Sequence, residues 1–274
     1  MNQNKGRIGI SLSGGGAKGI AHLGVLQALE EVGLKPQVVA GVSAGAIIGA
    51  FYADGKKPQE ICQFFKESKF FDFVKIVVPQ KGFMSTERFY RLIDDFIDAK
   101  TFEELKMPLT INATELIDGR NVYFNTGSLV DKVVASASVP IFLTPQEIDG
   151  KVYVDGGIFC NMPASVIRPD CDFLIGVHVN PIVTDGSIDN VFDVMERVYN
   201  LSIQSSTVAE KRQCDLVIEP VKARNFGMFD ISKTQQIFDI GYEAAMQKLT
   251  RPDVQQLIES LRRGIVLQSG LPIR

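Results

Sequence analysis

Apolar side chains alternate with polar or small ones at Ile8, Ile10 and Leu12, and this period of two predicts a strand over residues 7–13. The period then lengthens. Ile20, Leu23, Leu26, Leu29 and Val32 recur near helical spacing over residues 17–32, and Gly33 closes that helix. A second apolar run over residues 37–42 and a second helix over 43–53 complete a β-α-β-α opening, which calls for parallel strands with helices on their faces. Further helices are expected over residues 58–68, 85–96 and 128–138, the last stopped by Pro140. Its end is rich in small residues, Ala135, Ser136, Ala137 and Ser138, which permit another element to approach closely. Strands over 109–113 and 121–124 flank an Asp118–Gly119 turn and read as a hairpin at the sheet edge. The rest of the chain predicts strands at 151–154, 173–179 and 216–218, a long helix over 188–209, and helices over 231–248 and 254–261. No repeat, low-complexity tract or linker interrupts the pattern. The expectation is one domain over residues 5–270, an α/β fold built as a three-layer α/β/α sandwich around a mainly parallel central sheet.

Composition narrows the function. Acidic residues outnumber basic ones by 32 to 29 without a basic block, which excludes a nucleic-acid partner. Cys62, Cys160, Cys171 and Cys214 lie far apart and suit buried thiols in a reducing compartment. With His22 and His178 the only histidines, and no calcium-loop spacing of acids, no metal or other cofactor is expected. Residues 1–5 lack the apolar core of a secretory signal, and the small and apolar run 38–53 is broken at Ser43 into strand, turn and helix. A cytoplasmic protein is the expectation. Residues 70–78 are dense in large apolar side chains and read as core packing, or as a flap or acyl-chain wall beside a site. The oligomeric state is not legible.

Three glycine-containing segments follow strands. Gly41-Val42-Ser43-Ala44-Gly45 fits a nucleophile elbow, a serine on a tight strand-to-helix turn whose flanking glycines avoid clashes. Gly14, Gly16 and Gly19 satisfy the spacing of a dinucleotide loop, but the second strand ends in Ala40-Gly41-Val42-Ser43 where an acid for the ribose is required. Ile20 after Gly19 excludes a phosphate-binding loop that needs lysine there. Backbone N–H groups at a helix start instead suit an oxyanion hole. Asp155-Gly156-Gly157 ends the 151–154 strand; alone, Asp–Gly is a common turn pair. In a parallel sheet, all three segments would gather at the carboxyl ends of the strands. Ser43, Asp155 and His178 also follow the chain order of an α/β-hydrolase triad, although His178 sits inside a strand-like run. His22 is placed for a supporting role only, and Lys18 either tethers the glycine loop or adds positive potential.

Together, in order, the three segments resemble the motifs of patatin-like phospholipases, over about the first two thirds of the chain. Residues 229–232 also look like bacterial members. The resemblance implies a patatin-like fold and hydrolysis of fatty-acyl esters of phospholipids or lysophospholipids by a Ser–Asp dyad without histidine. It assigns the nucleophile to Ser43, the general base to Asp155 and the oxyanion hole to Gly14, Gly15, Gly16, Ala17 and Lys18. Gly19, Gly41, Gly45, Gly156 and Gly157 support the motifs. An aspartate of ordinary pKa, about 3.9, is a weak base, so an apolar surround is expected to raise it. The implied partner is a lipid or small acyl ester, with transient contact at the inner membrane surface. The rival readings are a general esterase or thioesterase with a triad, and a non-catalytic regulatory protein on the same fold.

Overall fold

The computed structural model describes residues 6–67, 86–140, 142–181 and 191–262. The strands are β1 (Ile8–Leu12), β2 (Val38–Gly41), β3 (Leu109–Glu115), β4 (Arg120–Phe124), β5 (Gln146–Ile148), β6 (Lys151–Asp155), β7 (Phe173–Val177) and β8 (Leu216–Ile218). They form one sheet in the order β5-β6-β3-β2-β1-β7-β8, with β4 also paired to β3. The central strands β3, β2, β1, β7 and β8 run parallel. β1 and β7 are buried along their whole length, as expected where both faces of a parallel sheet are covered.

The period of two sorts these strands between two cores. Ile8, Ile10 and Leu12 join Val39, Ile175 and Val177 in the larger one, while Val38, Ala40 and Leu174 meet Met162, Ala164 and Ile167 on the opposite face. The helices are α1 (Ala21–Glu31), α2 (Ala44–Ala53), α3 (Pro58–Glu67), α4 (Thr86–Phe96), α5 (Val130–Ser136), α6 (Val191–Ser202), α7 (Gln204–Lys211), α8 (Thr234–Leu249) and α9 (Pro252–Arg262). Leu23 and Leu26 of α1, Ile48 and Phe51 of α2, and Ile237 and Leu249 of α8 fill the larger core. On the other side, Glu210 of α7 accepts both the N–H and the hydroxyl of Ser165, which ties α7 to the 160–171 connection.

β3 positions the site. One of its edges is occupied by β4, from Ile111 paired with Phe124 to Glu115 paired with Arg120. The other edge is shared. β2 pairs with Leu109 to Ile111, and antiparallel β6 takes over from Ala113 to Glu115. β2 stops at Gly41 opposite Ile111, and β6 arrives head-on and stops at Asp155 opposite Ala113. The end of β2 and the end of β6 therefore meet in the gap on one strand edge.

Several boundaries differ from the sequence expectation. The helix expected over 17–32 begins as a separate 3-10 turn, Gly16–Ile20, and the helix over 231–248 begins with another, Ile231–Lys233. The long 188–209 helix is broken between α6 and α7. There Ser202 donates to the Tyr199 carbonyl, and Ser206 and Thr207 donate to the Ile203 carbonyl, the local competition that disfavours an uninterrupted helix. β5 was not expected. The hairpin is present, but β3 is an interior strand and β4 alone is its edge. Residues 1–5 and the apolar stretch 70–78 lie outside the described residues.

α1 and α8 touch through glycines. A Cβ on Gly24 would lie 2.0 Å from the Phe238 oxygen, and one on Gly241 would lie 2.0 Å from the Ala21 oxygen. Neither obstacle is a flexible side chain, so the helices must separate to admit a methyl group. Gly24→Ala is expected to lower the unfolding free energy by about 1–3 kcal/mol despite alanine's better helix propensity. Urea denaturation checks this, and an unchanged midpoint would contradict the close packing.

Candidate active site

Ser43 links β2 to α2 with φ 55° and ψ −124°, a backbone conformation that strains any residue with a side chain. The packing around the turn imposes it. A Cβ on Gly45 would lie 2.2 Å from the Leu12 oxygen, and one on Gly41 would lie 2.4 Å from the Gly45 oxygen. The turn thus presses directly on the end of β1. The Ser43 carbonyl starts α2 by accepting the Ala46 and Ile47 N–H groups, while its side chain makes no capping bond and stays available. The Ser43 N–H donates to Ser136 Oγ at 3.0 Å.

Asp155 is fully buried at the end of β6. Its N–H donates to the Ser138 carbonyl at 2.9 Å, so residues 136–138 hold the main chain of both Ser43 and Asp155. Oδ1 accepts the Gly157 N–H at 2.7 Å and the Tyr199 hydroxyl at 2.9 Å. Oδ2 has no hydrogen-bond partner of good geometry. Burial drives the Asp155 carboxyl up to about 6, opposed by the Ser43 hydroxyl, the Gly157 N–H and the Tyr199 hydroxyl. The carboxylate therefore interacts with Ser43 while one of its oxygens remains without a settled partner. Burial makes it more basic than an exposed aspartate.

The glycine loop leads from β1 to α1. Its amides divide into two sets. The Gly14 N–H donates to the Asn161 carbonyl at 3.2 Å, the Ala17 N–H to Met228 at 2.8 Å and the Lys18 N–H to Gly15 at 3.2 Å. Among the described residues the amides of Gly15 and Gly16 have no such partner. Beside Ser43 and Gly16 an apolar cavity of about 100 Å3 opens, with Ile20, Ile47, Ile48, Phe65, Phe89 and Leu143 among its walls. A smaller polar recess on Gly15, Gly16 and Ser43 is edged by Lys18, Asn161 and Tyr199.

Residues 10–167 match the family model described as patatin-like phospholipase. The chain belongs to the patatin-like phospholipase family. It is 33% identical over 178 residues to an uncharacterized NTE family protein of Mycobacterium tuberculosis, covering 64% of this chain and 49% of that one. It is 27% identical over 275 residues to human patatin-like phospholipase domain-containing protein 6, covering 86% of this chain and 20% of that one. The chain thus spans half or less of the length of these relatives. Among solved structures it resembles VipD from Legionella pneumophila, with a TM-score of 0.51 at 16% identity, over 90% of this chain and 67% of that one.

All three family motifs fall inside the matched region, and the fold brings them to one place. Of the five residues expected to form an oxyanion hole, Gly14, Ala17 and Lys18 use their N–H groups to hold the loop's own shape. One expectation needs correction. Asp155 reaches the site on an antiparallel strand, not at the carboxyl end of a parallel one.

The histidines bond away from the Asp155 carboxyl. His178 Nδ1 bonds Glu219 at 2.9 Å, and its ring also bonds the Asn180 main chain; burial lowers its pKa against those bonds. Glu219 in turn binds Lys211. His178 is not among the described groups that bond the Asp155 carboxyl, which are Ser43, Gly157 and Tyr199. His22 Nε2 bonds the Ser13 carbonyl at 2.8 Å, and burial pushes its pKa down to about 4. It braces the loop's first residue. Lys18 is buried and donates to Asn180 Oδ1 at 3.0 Å, which supports the tethering role.

Residues outside the motifs complete the site. Met228 closes on the glycine loop and Tyr199 on Asp155, both beyond the family-matched segment. Tyr199 carried no sequence signal beyond lying in the helix expected over 188–209. Ser136 did: it lies in the small-residue run that predicted a close approach. Ser136→Ala leaves the buried Ser43 N–H without an acceptor, at a cost of about 1–3 kcal/mol in stability. Thermal unfolding should register that loss, and an unaltered unfolding free energy would remove Ser136 from the elbow's support.

Proposed function

We propose that this chain is a serine acyl hydrolase that cleaves fatty-acyl esters of phospholipids or lysophospholipids with Ser43 and Asp155 alone. The observation that carries the reading is the strained Ser43 facing a buried carboxylate of raised pKa at the mouth of an apolar cavity. Asp155 takes the hydroxyl proton as Ser43 Oγ attacks the ester carbonyl. The developing oxyanion is received by the Gly15 and Gly16 amides, at the start of the turn leading into α1. The acyl tail lies in the apolar cavity, where burial favours hydrocarbon by about 0.8 kcal/mol per CH2. Collapse of the tetrahedral intermediate breaks the ester C–O bond, and Asp155 returns its proton to the leaving alcohol. Water then adds to the acyl-serine with Asp155 again accepting a proton, releasing the fatty acid and restoring Ser43.

The apolar lining favours an acyl chain over a short polar acid. Family membership favours a lipid substrate, and the human relative is named a phospholipase domain-containing protein. Thioesters would suit the same chemistry. No helix among the described residues is long and apolar enough to cross a membrane. The single-domain boundary at residues 5–270 and a cytoplasmic site of action belong to this proposal. A non-catalytic role is disfavoured because it gives no reason to keep a charged carboxylate buried beside a strained serine.

An alkyl fluorophosphonate should label the wild-type protein on Ser43 and leave Ser43→Ala unlabelled. A lipid panel should show fatty-acid release by the wild type alone. Labelling elsewhere, or equal release by both proteins, rejects the assignment.

Asp155→Asn keeps an acceptor for Gly157 and Tyr199 but removes the base, so ester turnover should fall at least a hundredfold. Because folding raises this carboxyl's pKa, the native state binds more protons than the unfolded chain between about pH 4 and 6, and stability falls as pH rises through that window. At pH 8 the variant should therefore be more stable than wild type, by up to about 3 kcal/mol. Paired denaturation curves at pH 5 and 8 test the sign.

A further inference from the structure

Tyr199 lies on α6, outside the segment that matches the family model, yet its hydroxyl reaches the carboxylate at the centre of the site. The helix is two-faced. Val191, Val194, Val198 and Leu201 are exposed along its outer side, while Tyr199 turns inward. The next residue, Asn200, accepts from Asn180 Nδ2 at 2.8 Å, and Asn180 Oδ1 accepts from Lys18 Nζ at 3.0 Å. Two consecutive residues of one helix are thus fastened to the two limbs of the site, the Asp155 carboxylate and the glycine loop.

We propose that Tyr199 is a positioning residue for the base: its hydroxyl holds Asp155 Oδ1 so that Oδ2 is presented to Ser43, and residue 157 is glycine to admit that hydroxyl. This rests on the reading of Asp155 as the base. A carboxylate only accepts, so the shared proton belongs to the tyrosine. The Gly157 N–H and the Tyr199 hydroxyl then converge on one oxygen, and the other is the one left without a settled partner. A Cβ on Gly157 would lie 2.6 Å from the Tyr199 hydroxyl, 2.9 Å from Asn161 Oδ1 and 3.0 Å from Asp155 Oδ1. A methyl group there would displace the phenol from its acceptor.

The titratable groups near the site other than Asp155 and Tyr199 bond elsewhere. Ser43 faces Asp155 from the elbow. His22 is held by Ser13, His178 by Glu219, and Lys18 reaches Asn180. Of the described side chains, only Ser43 and Tyr199 act directly on the Asp155 carboxyl. The tyrosine stabilises the ionised form, so its removal makes the base harder to ionise.

The test is the pH dependence of Ser43 labelling by an alkyl fluorophosphonate, a readout of serine and base that needs no natural substrate. In Tyr199→Phe the acid limb should move up by about one pH unit, and labelling at pH 5 should fall by about tenfold. With a p-nitrophenyl ester the loss should fall on kcat and leave KM unchanged. Gly157→Ala should shift the limb in the same direction, and adding it to Tyr199→Phe should cost less than it does alone. An unmoved acid limb in a cooperatively melting Tyr199→Phe protein reduces the tyrosine to packing and overturns the proposal while leaving the dyad intact. Wild-type protein that is not labelled on Ser43 overturns the dyad reading and this inference together.

Discussion

The site depends on one shared strand edge. β3 gives its first residues to β2 and its last to β6, and the gap between those partners is where Ser43 and Asp155 stand. A parallel strand could not make this junction, because it would run alongside β2 and carry its end away in the same direction. An antiparallel strand meets β2 end to end. The elbow is a condition of the arrangement, since β2 must leave the sheet after Gly41 to free the edge that β6 occupies. The sharp turn at Ser43 and the access of Asp155 to it are two results of the same break in strand pairing.

The geometry is held against two unfavourable terms. Ser43 keeps a left-handed backbone, and Asp155 keeps a charge in full burial. Conformational strain of this kind costs about 1–3 kcal/mol, and the carboxyl meets its own cost with a raised pKa. The surroundings restrict relaxation. Close contact of Gly45 with β1 leaves the elbow no room to flatten, and residues 136–138 bind the main chain on both sides. A buried carboxylate with one committed oxygen is suited to moving a proton without histidine, because burial supplies the basicity that an exposed aspartate lacks.

Legibility followed the range of the interaction. The β1-α1-β2-α2 opening was plain because each element carries its own hydrophobic period, and the elbow was plain because a serine between two glycines after an apolar strand has a local steric meaning. Less visible were the facts that depend on a distant partner. The loop amides all look alike in sequence, and the distant carbonyls of Asn161 and Met228 take up those of Gly14 and Ala17. His178 follows the order of a triad, but Glu219, just beyond the end of β8, claims the ring. β5 is three residues long, too short to show a period, and exists by pairing with β6.

By itself the sequence determined most of the elements, the turn at Ser43 and the three glycine segments, because these follow from backbone sterics and periodicity within a few neighbouring residues. The tertiary structure alone decided that β6 enters antiparallel on the edge β2 vacates, that Tyr199 reaches Asp155 from a helix more than forty positions away, and that the carboxyl is buried. The reason is physical: the direction of a paired strand and the burial of a charge are set by what packs against them, and no local stretch of chain contains that information.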